Sequence, residues 1–235
     1  MPSSKLVITR MNRRIEELSI KIPKFTRVFE RSGIFSGPSL YFHKRTIDTL
    51  RCLNTTSDAI KSTDFLELLY ATLTSWGMHR MGPGNTKLRD FPEFTSSIRH
   101  NRSRISELEN ISLAEMTDIE FEQIKKKVWH IIMNLEISIA EARIVPNCKA
   151  LHHILPKLIP PIDRTYTYNF FYGRNHLTIS EMDAFFEMYE RFRCIAKAQK
   201  IKIRQLVNCG WNTSEIKVLD NAIMGYVVSH RQRAI

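Results

Sequence analysis

Apolar residues recur three and four positions apart through most of this sequence, and strand-like alternation between turn-forming pairs is missing. A chain with that period buries its apolar stripes by packing helix on helix, so the expected fold class is all-α. Residues 6–20 form a basic segment, either a helix or a loose arm, and residues 23–30 a short helix stopped by Ser32-Gly33. Ser36-Gly37-Pro38-Ser39 is a turn that leads into a helix over residues 40–53. Ser62 or Thr63 caps a helix carrying Phe65, Leu66, Leu69, Leu73 and Trp76 at helical spacing, which breaks beyond Gly77 in a connector over residues 81–85. One helix is predicted over residues 91–105, with Pro92 in its first turn. A long helical region follows over residues 113–142, striped by Phe121, Ile124, Val128, Ile131, Ile132, Leu135 and Ile139. Three more are predicted over residues 164–172, 180–200 and 214–230.

At 235 residues the chain can bury one sizeable core or two small lobes. No apolar run reaches the roughly 18 residues needed to cross a bilayer, and Met-Pro-Ser-Ser-Lys at the start lacks the apolar core of a signal peptide. The default expectation is a cytoplasmic protein with no membrane partner. Cys52, Cys148, Cys194 and Cys209 show no C-x-x-C spacing, so no zinc site, iron–sulfur cluster or disulfide framework is expected. His152-His153 has no third ligand at metal spacing, and no metal or cofactor is predicted. The net charge is +11 and unevenly spread. From Arg191 onward there are nine Lys/Arg against two acids, whereas from Glu107 to Glu122 there are six acids and no Lys/Arg. Such segregation predicts a basic face toward a polyanion and an acidic face turned away.

The stretch from Arg143 to Thr167 carries the most local information. It is predicted to contain a helix end, a tight hairpin at Val145-Pro146-Asn147-Cys148, a short helix, and a loop stiffened by Pro160 and Pro161. Asn147 is of a type that tolerates positive φ in such a turn. Ile162 anchors the loop inward. Asp163 then sits at or near an N-cap, where free amides and the helix dipole favour an anion. A plain capping aspartate and a functional carboxylate both fit that position.

Two regions resemble the helix-hairpin-helix DNA glycosylases, the superfamily of endonuclease III-like base-excision enzymes. Val145-Pro-Asn-Cys-Lys-Ala-Leu leading to Ile159-Pro-Pro-Ile-Asp163-Arg-Thr-Tyr-Thr is similar to that family's hairpin, following helix and aspartate-bearing loop. Phe65-Leu-Glu-Leu-Leu-Tyr-Ala-Thr-Leu-Thr-Ser-Trp-Gly-Met-His79-Arg is similar to its earlier helix, whose end lines the lesion. The resemblance implies two helical lobes with a cleft between them, one from about residues 1–60 and 164–235, the other from about 61–163. It also implies a monomer acting on double-stranded DNA, in which Asp163 stabilises the sugar cation as a flipped base departs. Trp76, Met78 and His79 are its candidates for wedge or pocket wall. Tyr41 and His43, beside the Gly37-Pro38 turn, are candidates to stack on the extruded base. Each also fits a structural role: Trp76 and Met78 as core residues, His79 as a surface histidine, and Tyr41 and His43 as part of a helix start. Asn147, Cys148, Lys149 and Arg164, with some of the C-terminal basic residues, are the expected phosphate contacts.

Departures from the family pattern bear on the chemistry. The hairpin lacks glycines, and Cys148 occupies the place of the catalytic lysine of lyase-competent members. Lys149 falls one residue later, a rotation of about 100° on a helix. The expectation is a glycosylase with little or no lyase activity. Some enzymes of this architecture look like phage-defence proteins directed at hypermodified bases, and the aromatic N-terminal segment would suit such a substrate. A non-catalytic helical nucleic-acid-binding module is the alternative.

Overall fold

Many helix starts follow local chemistry in the computed structural model, which describes residues 5–35, 37–79, 87–208 and 210–231. The connector expected at residues 81–85, Ser36 and Cys209 lie outside them. Among the described residues the chain is helical with no strand, apart from one antiparallel bridge between Leu88 and Ser138. It divides into two compact units. The first comprises Met1–Ile34, Leu113–Glu115 and Pro160–Ile235, the second Phe35–Ser112 and Met116–Ile159. Residues 35–60 thus belong with the middle of the chain and not with its ends, because the two helices they contribute pack on helices of that unit.

In the first unit, α1 (Lys5–Ile20) and α2 (Ile22–Ser32) are followed much later by α10 (Asn169–Tyr172), α11 (Glu181–Ala198), α12 (Lys200–Arg204) and α13 (Glu215–Arg231). The basic arm is therefore a helix. Gly33 ends α2 in the left-handed region at φ 63°, as a C-terminal glycine should. Helix α13 forms the centre of this unit and is buried at every position from Ile216 to Val228. It lies along α2 so closely that a Cβ on Gly225 would stand 1.9 Å from the Phe25 carbonyl oxygen. Burying α13 all round also buries Lys217 and Asp220, which satisfy each other at 2.6 Å, with the ammonium over the rings of Trp211 and Phe29.

The second unit contains α3 (Pro38–Cys52), α4 (Thr56–Lys61), α5 (Thr63–Leu73), α6 (Phe91–His100), α7 (Arg102–Ser106), α8 (Asp118–Asn134) and α9 (Ile144–Ile154). Ser62 accepts from the Phe65 amide and caps α5. The helix expected over residues 91–105 breaks at Asn101, whose side chain donates to the carbonyls of Ser97 and Asn134. The long region over 113–142 is shorter than expected. Thr117 and Glu120 form a capping box that starts α8, and residues 137–139 leave the helix to pair with 87–89. Ile139, placed on the apolar stripe by periodicity, is half exposed on that extended segment.

The hairpin at Val145–Cys148 does not form. These residues are the first turns of α9, with Pro146 tolerated there because its missing N–H lies near the helix start, and among the described residues no non-glycine residue has positive φ. Asn147 instead sends its amide nitrogen to the carbonyls of Ile132 (2.6 Å) and Leu135 (2.9 Å), terminating α8.

Candidate active site

Pro160, Pro161 and Ile162 are all buried, so the segment entering Asp163 is fixed both by ring closure and by packing. Asp163 has an extended backbone and is the N-cap of a π-helical turn, Arg164–Tyr168, that runs into α10. One carboxylate oxygen, Oδ1, accepts from the amides of Thr165 (2.6 Å) and Tyr166 (3.2 Å). Its own amide donates to Thr167 Oγ1 at 3.0 Å, and its carbonyl accepts from Tyr168 N at 3.0 Å, the five-residue span that widens the turn. The residue is half-buried, and Arg164 beside it is exposed.

Arg231, at the end of α13, donates to the Thr165 carbonyl at 3.0 Å and lies over the Tyr166 ring. Burial and the Asp163 charge push the Tyr166 phenol up, and the Arg231 charge opposes them. A carboxylate is thus held in one orientation, partly open to solvent, with guanidinium groups on the same surface.

The remaining expected site residues lie in the second unit, where several gather under the end of α5. A wide, π-like turn over Thr74–Met78 closes that helix with a kink, where Trp76 and Gly77 leave helical geometry and Gly77 is exposed at φ 81°. Trp76 is half-buried, and its indole N–H donates to the Ser39 carbonyl at 3.3 Å. Its ring is 4.8 Å from His153 and 5.4 Å from His43. His43 is fully buried and does not line an open pocket, since α3 turns it toward α9. Met78 is buried at 3 % exposure and cannot act as a wedge. His79 is exposed, with Nδ1 3.0 Å from the Thr74 carbonyl, and Tyr41 is exposed at 59 %.

The polar atoms of this cluster are ordered. His153 Nδ1 lies 2.8 Å from the Lys149 carbonyl, which only accepts, so Nδ1 carries the proton. In the neutral ring Nε2 then accepts, and His43 Nδ1 donates to it at 3.0 Å. His152 Nδ1 donates to the Ile159 carbonyl at 2.8 Å. The three imidazoles therefore use their facing nitrogens on each other or on backbone, and among the described residues no group of His, Cys, Asp and Glu could hold a metal.

Two expected phosphate contacts are corrected: Asn147 and Cys148 are buried, the first occupied with α8 and the second in the core. Lys149 is also largely buried, its ammonium 3.5 Å from the Trp76 carbonyl. Arg164 remains exposed.

The C-terminal run of cations is largely occupied too. Lys200 and Arg204 pair with Glu115, Arg204 also with Glu215, and Lys217 with Asp220. Lys202 donates to the Ser19 carbonyl, and Arg193 is buried. The anticipated segregation into a basic face and an acidic face fails here because Glu115, from the acidic stretch, is the partner of two of these cations. The histidine–tryptophan cluster and the Arg231–Thr165 contact each join residues far apart in the chain, so neither is legible in the sequence. No described helix is long and apolar enough to cross a membrane. Comparison with protein-family models, with curated proteins and with solved structures finds no match to this chain.

Proposed function

We propose that this protein is a DNA glycosylase that hydrolyses the N-glycosidic bond of a flipped-out base, with Asp163 as its catalytic carboxylate. The observation that carries the reading is the state of that side chain. It is held by two backbone amides behind a buried Pro-Pro-Ile segment, yet half-exposed beside arginines. As the base leaves, positive charge develops at the sugar. A carboxylate already oriented stabilises that charge without reorganising and can take a proton from the attacking water. The chain order supports the same reading. Both ends of the chain belong to one unit and the middle to the other, with Asp163 only three residues past Pro160, where the chain enters the first unit. The resemblance to helix-hairpin-helix glycosylases implies the same division of ends from middle, though it assigns residues 35–60 and 160–163 to the opposite units. The burial of Lys149 and Cys148 supports hydrolysis without lyase chemistry.

The test is base release by Asp163→Asn. Asparagine caps a helix about as well as aspartate, so the variant keeps its fold and its DNA affinity while losing the negative charge. Incubated with a panel of genomic DNAs, hypermodified phage DNA included, the wild type releases a free base identifiable by mass spectrometry and the variant releases none. Equal release by the two proteins removes Asp163 from the chemistry. A second reading, a non-catalytic nucleic-acid-binding module, draws on the same hydrogen bonds, since capping alone is sufficient work for an aspartate. It predicts DNA binding and no base release from either protein.

A further inference from the structure

Lys200, Lys202, Arg204 and Lys217 are engaged, and other cations of the first unit are open to a polyanion. Arg10, Arg13 and Arg164 are exposed, and none has an ion pair or side-chain hydrogen bond among the described residues. Arg10 and Arg13 stand one turn apart on α1, which packs against α10 and α13. Arg14, on the same flank, donates to the Phe170 carbonyl at 3.0 Å, at the far end of the segment that Asp163 begins. Arg13 and Arg14 both hold down the rise in the Tyr226 phenol, so their charges lie on the α13 side of α1. Five residues beyond Tyr226, Arg231 reaches Thr165.

Among the described residues the acids of α1 form no ion pair with Arg10 or Arg13. Glu17 is engaged by Lys21, Tyr226 and His230. Glu16, exposed one turn beyond Arg13, makes no ion pair among the described residues.

We infer that Arg10 and Arg13 of α1, together with Arg164 and Arg231 around the Asp163 turn, form a strip that holds the phosphate backbone of duplex DNA. The inference rests on the glycosylase reading for its ligand and names the surface that would keep a sugar beside Asp163. Guanidinium forks suit phosphate oxygens, and a strip without internal carboxylate partners costs no broken ion pairs on binding. An anionic membrane is the less fitting partner. A surface helix needs a continuous apolar face to insert; on α1, Met11 and Leu18 are fully buried in the core, and the exposed Leu6 and Ile20 stand apart at its two ends.

The experiment measures binding of a fluorescently labelled duplex by anisotropy over a series of salt concentrations. It compares wild type, Arg10→Ala/Arg13→Ala, Arg10→Lys/Arg13→Lys and Lys200→Ala/Arg204→Ala. The alanine pair at 10 and 13 should weaken binding roughly tenfold and lower the salt slope by about two. The lysine pair should keep the slope, and the pair at 200 and 204 should bind as wild type. If wild type binds while the alanine pair matches it in affinity and slope, the strip is not the contact surface and the glycosylase reading stands. Loss of binding by the lysine pair equal to that of the alanine pair shows that charge is not the agent and overturns the inference. A wild type that binds no duplex at any salt overturns both the inference and the reading. So does arginine-dependent binding to phosphatidylserine vesicles with none to duplex.

Discussion

Asn147 and Asp163 sit sixteen residues apart in the stretch where local chemistry is densest, and the structure uses them oppositely. Asn147 is sealed in and spends its amide on two carbonyls at the end of α8. Asp163 stays half open and spends one oxygen on two amides at the start of its own turn. Both satisfy helix-end groups that would otherwise be unpaired, but only Asp163 keeps access to solvent. Asn147→Ala should leave the Ile132 carbonyl without this donor and the Leu135 carbonyl with Arg143 alone. The expected cost is about 1–3 kcal/mol, read as a lower denaturant midpoint at unchanged m-value. A midpoint equal to that of the wild type would show that the end of α8 finds another donor.

Between elements, the decisive contact is the crossing of α2 and α13. Gly225 has no special φ; it is needed for space, because Phe25 contributes backbone oxygen where a Cβ would stand. The peptide of Phe25 cannot move aside as a side-chain tip could, so Gly225→Ala must push the helices apart and open the packing around Phe25, Phe29 and Tyr226. Overpacking costs of this kind run about 1–3 kcal/mol and more when backbone must shift. The variant should unfold at clearly lower temperature, whereas a thermal midpoint within error of wild type would refute the close approach. The two wide turns, Thr74–Met78 and Arg164–Tyr168, belong to the same scale. Each contains expected site residues, and no periodicity argument separates such a turn from ordinary helix.

Over the whole molecule, net charge proved a poorer guide than its pairing. Lys200, Arg204 and Lys217 belong to the most basic stretch of the sequence, yet all three meet carboxylates. One titration follows from the fold of the first unit. Burial, then the Glu17 carboxylate, pushes the Tyr226 phenol up to about 12 from its ordinary value of 10.0. In the unfolded chain that phenol releases its proton at the lower value. The native state therefore binds more protons between those limits, and stability falls as pH rises through that window. Tyr226→Phe should flatten this part of the alkaline stability curve while leaving the neutral region with the smaller change expected from a lost hydrogen bond. An unchanged alkaline slope in Tyr226→Phe would assign the loss to other groups.

Helical class, the starts of α5, α11 and α13, and the capping position of Asp163 were legible in the sequence. Each depends on residues within one or two turns of one another: an apolar period, a serine or aspartate ahead of it, a proline pair that bars helix. What failed depended on partners distant in the chain. A helix could not be told to stop at Asn134 without Asn147, nor to break at Asn101 without α8. The Val145–Cys148 hairpin became helix because burial and the α8 carbonyls reward that conformation. Likewise, His43 and Met78 could not be told from pocket residues until α3, α5 and α9 were packed. Local preferences amount to about one kcal/mol each, whereas burial and the satisfaction of buried polar groups contribute several at a single site. Short-range chemistry therefore determined the capped helix starts and the stop at Gly33, and tertiary packing decided the start of α9, the end of α8 and which side chains remain exposed.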